Sequence, residues 1–349
     1  MDQEKTVKTH IRNQVPIVFA VDDHYVLYLA VTIKSILVNS SAMNRYELII
    51  LEKKLSNTSK SLLSSTIEGY HNFSIRFLNV ASIMETYGKN CLYTCFHFSR
   101  AIYYRLFLAE ILTDYEKIIY LDSDLIIQKD PAEILHINLE NSYLAVGHEW
   151  LCLSPRFRIY LKATLKWKGT YNTYFASGHM VMNLKKIKHD KLIYKFMKTI
   201  RENQNLRAPD QDTLNIVCQG NVTFLPPEWN ICWHWKDFLS SRILKKNNVY
   251  GPPGTRPALI HYASAKKPWN TPEEELADLW WSYANLLSFK EKIHKKALED
   301  RCRFLQKNYE MLVNSIPWKI TKPLREIYDF LKYDVLEFSK LFTGQKHRP

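Results

Sequence analysis

Glycine is scarce in this chain, with only 9 in 349 residues. Neither G-x-G-x-x-G nor G-x-x-x-x-G-K occurs, which argues against the glycine-rich loops that cradle dinucleotides and nucleoside triphosphates. Long apolar runs are also missing. The most apolar early stretch, YLAVTIKSILV, is short and contains Lys34, so the sequence does not predict a membrane span there.

The chain also lacks an apolar leader, since its first residues, MDQEKTVKTH, are polar and mixed in charge. We therefore expect a cytosolic protein whose scattered cysteines are reduced and mostly fill small core positions. Cys91 and Cys95 lie near His97, but their spacing matches no standard zinc motif and no second pair completes it.

Positive charge is in excess, because 48 Lys and Arg residues against 35 Asp and Glu residues give a net charge of +13. Such an excess suits an anionic partner, which is a nucleic acid, an anionic membrane surface or a phosphorylated substrate. No motif typical of RNA or DNA binding occurs, so we expect no nucleic-acid partner.

Predicted strands and helices alternate over the first half of the chain. Residues 17–21 (IVFAV) form a short apolar run typical of a buried parallel strand, and apolar residues recur at helical spacing over residues 25–38. Then follow strand YELIIL, helix SKSLLSSTIEGY, strand SIRFL, helix AIYYRLFLAEIL and strand KIIYL. This alternation predicts an α/β fold with right-handed crossovers and a parallel sheet covered on both faces.

In such sheets ligands bind beyond the carboxyl ends of the strands. The residues that trail the first and fourth predicted strands are 22–24 (DDH) and 122–124 (DSD), so we expect both segments at the site. The middle of the chain contains shorter strands (YLAVG, HMVMNL, VTFL and ALIHYA) and the aromatic segment LPPEWNICWHW.

Asp122 and Asp124 form the first candidate metal site. Residues i and i+2 of a strand lie on one face, so both carboxylates can point at one cation. Two acids between apolar runs would be costly in a core without a counter-charge, although solvated acids at a turn give the same pattern. Carboxylates suit Mg²⁺ or Mn²⁺, and a nitrogen ligand from His261 would favour Mn²⁺. Alternatively, His261 binds no metal and is a hydrogen-bonded or partly buried residue at the end of its strand.

Four sequence blocks follow one another in the order IVFAVDDHYVLYLAVTIKSIL, FSRAIYYRLFLAEILTDYEKIIYLDSDLII, YFASGHMVMNLKKIK with APDQDTLNIV, and IHYASAKKPW. As an ordered set they resemble glycosyltransferase family 8, whose retaining enzymes include bacterial lipopolysaccharide galactosyl- and glucosyltransferases. The resemblance implies a GT-A fold, a Rossmann-like mixed sheet flanked by helices. We therefore expect an N-terminal tail over residues 1–14, a GT-A catalytic domain over 15–270 and a basic helical region over 271–349.

The resemblance also implies a set of metal ligands and a diphosphate contact. The Asp-x-Asp of the family falls on Asp122 and Asp124, and its third metal ligand falls on His261. Lys267 matches the lysine that holds the donor diphosphate. His97 matches a site position of the lipopolysaccharide branch.

For the uridine of the donor, the resemblance implies a first-strand motif at Ala20, Asp22 and Tyr25. The backbone of Ala20 and the carboxylate of Asp22 would contact uracil and ribose, and the ring of Tyr25 would stack on the base.

For the donor sugar, the resemblance implies contacts from Arg105 and Asp210, and it places Gln211 beside the anomeric carbon. Without the resemblance, Asp210 and Asp212 would be interpreted as helix caps and Arg105 as a surface or ion-pair residue.

The chain departs from the family pattern at Ala176, which stands where an asparagine commonly precedes Ser-Gly or Ala-Gly. The missing amide would normally bond to the donor sugar, and Ser177 is the candidate substitute. His24 likewise stands where asparagine is often found. The sequence therefore leaves the identity of the donor sugar open.

The expected chemistry places negative charge on the leaving diphosphate oxygen. A divalent ion bridging the phosphates, with Lys267 beside it, would stabilise that charge. Gln211 is a poor nucleophile, so double displacement and attack of the acceptor from the leaving-group face both remain open as routes to retention.

The C-terminal region interleaves aromatic residues with Lys and Arg from residue 288 onward. Two interpretations remain open for it. It either lies on an anionic membrane surface as a basic amphipathic segment, or packs on the catalytic domain as a helical cap.

The combined prediction is a retaining hexosyltransferase that moves glucose or galactose from a UDP-sugar to a glycan or glycolipid acceptor in bacterial surface polysaccharide or lipopolysaccharide synthesis. We expect Mn²⁺ as the ion, with Mg²⁺ as the alternative, and a location peripheral to the inner face of the cell membrane.

Two other functions compete with this prediction. A sugar-phosphate nucleotidylyltransferase would need a glycine-rich basic loop after the first strand, where AVDDHY offers acids instead. A non-catalytic membrane- or polyanion-binding protein would leave the acidic pair and His261 unexplained.

Overall fold

The computed structural model describes residues 14–88, 92–93, 100–139 and 141–325. The predicted site residue His97, the pair Cys91 and Cys95, and the end of the basic region lie outside the described residues. The described residues up to Ile293 form one compact unit, and those from His294 onward form a second.

A central mixed sheet organises the first unit. Its strands lie in the order β3-β2-β1-β4-β7-β6-β8, and a separate pair joins β5 to β9. The strands are β1 (Gln14–Ala20), β2 (Arg45–Glu52), β3 (Phe73–Asn79), β4 (Lys117–Leu121), β5 (Leu125–Ile127), β6 (Leu144–His148), β7 (Phe175–Asn183), β8 (Val222–Phe224) and β9 (Leu259–His261).

Most strands of the sheet run in one direction. β1 pairs in parallel with β2 and β4, β2 with β3, and β6 with β8, whereas β7 runs antiparallel to both β4 and β6. The predicted mixed α/β sheet is confirmed, and β4 coincides with the predicted strand KIIYL.

The helices cover this sheet and then continue into the second unit. They are α1 (Val26–Asn39), α2 (Asn57–Thr66), α3 (Ala81–Gly88), α4 (Leu108–Ile111), α5 (Ala132–Leu135), α6 (Pro155–Ala163), α7 (Leu184–His189), α8 (Leu192–Glu202), α9 (Pro209–Cys218), α10 (Ser241–Lys246), α11 (Ala277–Ala284), α12 (Lys290–Asn314) and α13 (Ile316–Ile320). The starts of several helices follow from local sequence. The hydroxyls of Ser56 and Ser154 cap α2 and α6, and a proline occupies the first turn of α9.

One predicted helix is largely wrong. The segment AIYYRLFLAEIL forms a 3₁₀ helix over Arg100–Phe107 and only one α-helical turn, α4. Residues 103–107 are all buried, so the segment has no solvent-facing side of the kind that an amphipathic α-helix presents. Packing from all sides has overridden the helical pattern.

The apolar core includes one face of the central strands. Ile118 and Tyr120 of β4 and Met180 and Met182 of β7 belong to one buried cluster, which also contains Phe196 of α8. Their spacing of two residues is the alternation of a pleated strand. Among the described residues, no helix is both long enough and apolar enough to span a bilayer.

Candidate active site

The acidic pair lies in a short break between β4 and β5. β4 ends at Leu121 and β5 begins at Leu125, so Asp122 and Asp124 sit at the carboxyl end of a central strand. The backbone N–H of Asp122 donates to the carbonyl of Gly178 on β7 at 2.7 Å, which fixes the start of the break. The sequence prediction placed residues 122–124 directly after the fourth strand, and the structure has both acids there, in the break rather than on the face of a continuous strand.

His261 reaches this pair because β9 runs antiparallel to β5. Leu125 lies opposite His261 in that pairing, and the N–H of Tyr262 donates to the carbonyl of Asp124 at 3.1 Å. His261 Nε2 lies 3.2 Å from Asp124 Oδ1 and 3.8 Å from Asp122 Oδ2.

These three side chains offer a ligand set for a metal ion. One ligand atom from each of Asp122, Asp124 and His261 lies within 4.8 Å of the other two. Two carboxylates and one imidazole suit Mn²⁺, and the carboxylates also suit Mg²⁺, so the residues fit the divalent ion expected from the sequence.

Gly178 leaves the space that two of the ligands need. A Cβ atom at this position would lie 2.3 Å from His261 Cε1 and 2.7 Å from Asp122 Oδ2. Both distances are far below van der Waals contact, so any side chain at Gly178 must displace a ligand.

Lys267 supplies a buried cation beside Asp124. Its ammonium forms an ion pair with the Asp124 carboxylate and donates to the carbonyl of Tyr262 at 2.6 Å. Burial by itself raises the pKa of Asp124, but Lys267 and His261 outweigh burial and hold that pKa well below its ordinary value. Burial opposes the charge of Lys267 as well, yet Asp124 raises the lysine pKa.

Arg105 links the metal ligands to the start of α9. Its guanidinium lies 2.7 Å from Asp122 Oδ1 and 3.2 Å from Asp210 Oδ2, and it donates to the Ser177 carbonyl at 2.7 Å. Burial opposes the charge, but Asp122 dominates and the pKa of Arg105 is raised. Arg105 is therefore a buried, charged ion-pair residue inside the cleft rather than on the surface.

Asp210 and Gln211 meet Ser177 on the same side of the cleft. Ser177 N–H donates to Gln211 Oε1 and the Ser177 hydroxyl donates to Asp210 Oδ2, both at 3.0 Å. The Ser177 hydroxyl is therefore already engaged, and its neighbour Ala176 is almost fully buried in β7.

Asp212 has a different role from its neighbour Asp210. It accepts hydrogen bonds from the hydroxyls of Tyr160 and Tyr174 and from the N–H of Ala208 at the start of α9. Burial raises the pKa of Asp212 to about 6. Neither acid occupies the N-cap of α9, which is Ala208: Asp212 bonds back to the Ala208 N–H from inside the helix, whereas the side chain of Asp210 binds Arg105 and Ser177.

The residues at the end of β1 line the same cleft, whose volume is about 450 Å³. Ala20, Asp22 and Tyr25 share it with the metal-ligand candidates. Tyr25 stands edge-on to Trp269 at 6.2 Å between ring centroids, and Trp269 stacks on Tyr28 at 3.8 Å. An aromatic cluster therefore supports the ring that the resemblance assigns to the base.

The polar residues of the cleft that the sequence prediction missed include Glu149 and His234. Glu149 directly follows β6 and accepts hydrogen bonds from Leu151 N–H at 3.1 Å and Trp235 Nε1–H at 3.0 Å. Burial raises its pKa. An acid trailing a strand was a usable signal for Glu149, whereas His234 lies in an irregular segment that offered none.

Comparison with known proteins places the chain among glycosyltransferases. The sequence model described as Glycosyl transferase family 8 matches residues 16–272. A putative glycosyltransferase of Haemophilus influenzae is 29% identical over 73% of this chain and 72% of its own length. A lipopolysaccharide 1,2-glucosyltransferase of Escherichia coli K12 is 25% identical over 90% of this chain and 83% of its own length.

Solved structures show the same fold. The apo structure of the bifunctional glycosyltransferase WbbM superposes with a TM-score of 0.71 at 26% identity, over 83% of this chain but only 53% of WbbM. The galactosyltransferase LgtC, in complex with donor and acceptor sugar analogues, superposes with a TM-score of 0.64 at 22% identity, over 78% of this chain and 96% of LgtC. The predicted GT-A fold is confirmed by these similarities.

Proposed function

The chain belongs to glycosyltransferase family 8, and we propose that it transfers glucose or galactose from a UDP-hexose to a hydroxyl of a glycan or glycolipid, with Mn²⁺ as its ion. The observation that carries this proposal is the meeting of Asp122, Asp124 and His261 with Lys267 in one cleft. Similarity to a lipopolysaccharide glucosyltransferase supports a bacterial surface glycan as the acceptor. Family membership supports a transferase over the nucleotidylyltransferase and non-catalytic alternatives.

Departure of UDP is the step that the charged residues serve. A divalent ion held by Asp122, Asp124 and His261 would act as a Lewis acid and stabilise the negative charge that develops on the diphosphate oxygens. Lys267 adds a second positive charge that is already fixed by Asp124 and by the Tyr262 carbonyl. Because this cation is held in place before the reaction, it needs no reorganisation as the charge develops.

The sugar-side residues support attack from the leaving-group face. Gln211 Oε1 already accepts a hydrogen bond from Ser177, and an amide oxygen is a weak nucleophile. Asp210 is neutralised by Arg105, which lies 3.2 Å away. We assign Arg105, Asp210 and Ser177 to orienting the donor hexose, and the amide oxygen of Gln211 to stabilising the positive charge of an oxocarbenium-like centre.

The test is release of UDP from a panel of UDP-sugars, with Mn²⁺, with Mg²⁺ and after chelation. We expect one UDP-hexose to give the highest rate, and chelation to lower that rate by about 10³-fold, because metal stabilisation of leaving-group charge is worth several kcal/mol. Mass analysis of the glycan product then checks that the hexose is transferred and not only hydrolysed.

Equal release with and without a metal ion would overturn the metal assignment. Release from no UDP-sugar, together with no binding of UDP, would overturn the proposed function.

The second unit suits contact with an anionic membrane. Several apolar side chains of α12 and α13 are more than half exposed, among them Leu305, Leu312 and Ile316. Lys307 and Lys319 lie in the same helices. Apolar side chains exposed among lysines are typical of a segment that enters the membrane interface. We therefore propose that the protein binds the membrane peripherally through the exposed apolar side chains of α12 and α13.

Vesicle sedimentation tests membrane binding through α12 and α13. Joint substitution of Leu305, Leu312 and Ile316 by glutamine should weaken binding to phosphatidylglycerol-containing vesicles about 100-fold, since each lost apolar contact costs about 1 kcal/mol. The matched control replaces Met43 and Ile159, which are exposed apolar residues of the first unit, and should bind as the wild type does. Equal binding by both variants would contradict membrane contact through the helices.

A further inference from the structure

A cysteine–histidine pair lies in the wall of the cleft, apart from the metal-ligand candidates. His234 lines the cleft, and Cys232 lies behind it; both are almost completely buried. Cys232 Sγ lies closer to His234 Nδ1 than to Nε2, so the contact is with Nδ1. The mechanism described above uses neither residue.

The surroundings favour one direction for this hydrogen bond, from the thiol to the ring. The thiol of Cys232 can donate its S–H to a ring nitrogen of His234, which can accept it. Burial raises the pKa of the thiol, so the sulfur keeps its hydrogen. Burial also lowers the pKa of His234 to about 3, so the ring is neutral. A neutral ring that accepts at Nδ1 carries its hydrogen on Nε2.

The residues on either side of the pair are held in place. The N–H of Ile231 donates to the Leu259 carbonyl at 3.1 Å, and the Ile231 carbonyl accepts from His261 N–H at 2.8 Å. On the other side, Trp235 Nε1–H donates to Glu149 at 3.0 Å. The pair is thus anchored both to a candidate metal ligand and to a cleft carboxyl.

We propose that His234 donates a hydrogen bond from Nε2–H to a sugar hydroxyl in the cleft, and that Cys232 positions this donor by fixing the ring tautomer. The proposal rests on the proposed function and adds a specificity-determining residue to it. The hydroxyl comes either from the donor hexose or from the acceptor sugar. Phe238, which is 60% exposed, stands edge-on to His234 at 6.0 Å between ring centroids and offers an apolar surface for a sugar ring next to it.

The tautomer is measured first, by long-range ¹H–¹⁵N correlation on protein labelled at histidine, with His234→Gln assigning the signal. We expect the Nε2–H tautomer in the wild type and in Cys232→Ser, whose hydroxyl also donates. In Cys232→Ala we expect a mixture of tautomers. An Nδ1–H tautomer in the wild type, or no difference between Cys232→Ser and Cys232→Ala, would overturn the positioning role even if no UDP-sugar is turned over.

Two substitutions of His234 then test the donated hydrogen bond. The amide nitrogen of glutamine approximates Nε2 and that of asparagine approximates Nδ1, so His234→Gln should retain activity that His234→Asn loses. For the loss of one such hydrogen bond we expect KM to rise about tenfold in His234→Asn and in Cys232→Ala. Thermal melting and UDP–Mn²⁺ binding show whether each variant is folded.

Two assays separate the sources of the hydroxyl. If His234→Asn raises the KM for UDP-hexose in hydrolysis by water, the hydroxyl belongs to the donor sugar. If His234→Asn raises only the KM for methyl hexosides or lactose in the transfer reaction, the hydroxyl belongs to the acceptor sugar. Equal kinetics of His234→Gln and His234→Asn in both assays would overturn the proposal. Absence of turnover by the wild type contradicts the proposed function instead, and the NMR measurement still decides the tautomer.

Discussion

Replacing Asp124 by alanine is expected to lower kcat/KM for Mn²⁺-dependent UDP release by about 10³-fold or more, because several kcal/mol of charge stabilisation is lost with the ion. The substitution removes two contributions together. Asp124 is a candidate metal ligand 3.2 Å from His261, and it is also the carboxylate that holds the ammonium of Lys267 in the cleft. The measurement is steady-state UDP release at increasing Mn²⁺, with the most active UDP-hexose of the panel.

The matched control is Asp114→Ala, which removes an exposed acid away from the cleft and should leave kcat/KM unchanged. Because Asp124→Ala leaves Lys267 buried without its carboxylate, its melting temperature should be compared with that of Asp124→Asn. Two folded variants that keep the wild-type dependence on Mn²⁺ would contradict the assignment of Asp124 as a ligand.

The sheet was predictable because its strands carry their signal locally. The run KIIYL coincides with β4, and the apolar run at residues 17–21 lies largely within β1, since buried strands of a mostly parallel sheet are apolar throughout. The rule that ligands bind at the carboxyl ends of strands then placed Asp22 and Asp122 in one cleft, where the structure has them.

The pairing that brings His261 to the acids was not predictable from local pattern. β5 and β9 are three-residue strands separated by more than 130 positions, and neither their direction nor their register is encoded in their composition. The expectation for His261 came from family resemblance, and the antiparallel pairing of Leu125 with His261 gives its physical basis.

Side-chain partners were equally out of reach. Arg105 lies in a segment of aromatic and aliphatic residues, and no local pattern predicts its ion pairs with Asp122 and Asp210. Those two acids lie in separate parts of the fold. His234 was missed because it lies in a 3₁₀ segment within the irregular run LPPEWNICWHW, where no hydrophobic period marks an inward face.

Replacing Gly178 by alanine is expected to raise the Mn²⁺ concentration for half-maximal UDP release about 10- to 100-fold, the range found when the support of a metal ligand is disturbed. The physical reason is steric. The new Cβ would lie 2.3 Å from His261 Cε1 and 2.7 Å from Asp122 Oδ2, and β7 is held on this side by the bond from Asp122 N–H to the Gly178 carbonyl. The ligands must therefore move, because the strand is fixed.

Gly147→Ala separates this effect from general overpacking. A Cβ atom at Gly147 would lie 2.1 Å from Asn230 Oδ1 and 2.5 Å from His179 Nε2, neither of which belongs to the metal-ligand set. Both variants should lose about 1–3 kcal/mol of stability, the usual cost of an overpacked core. Only Gly178→Ala should also shift the Mn²⁺ dependence, because only there does the added methyl group meet Asp122 and His261. Equal Mn²⁺ dependence in the two variants would mean that these side chains do not bind the ion.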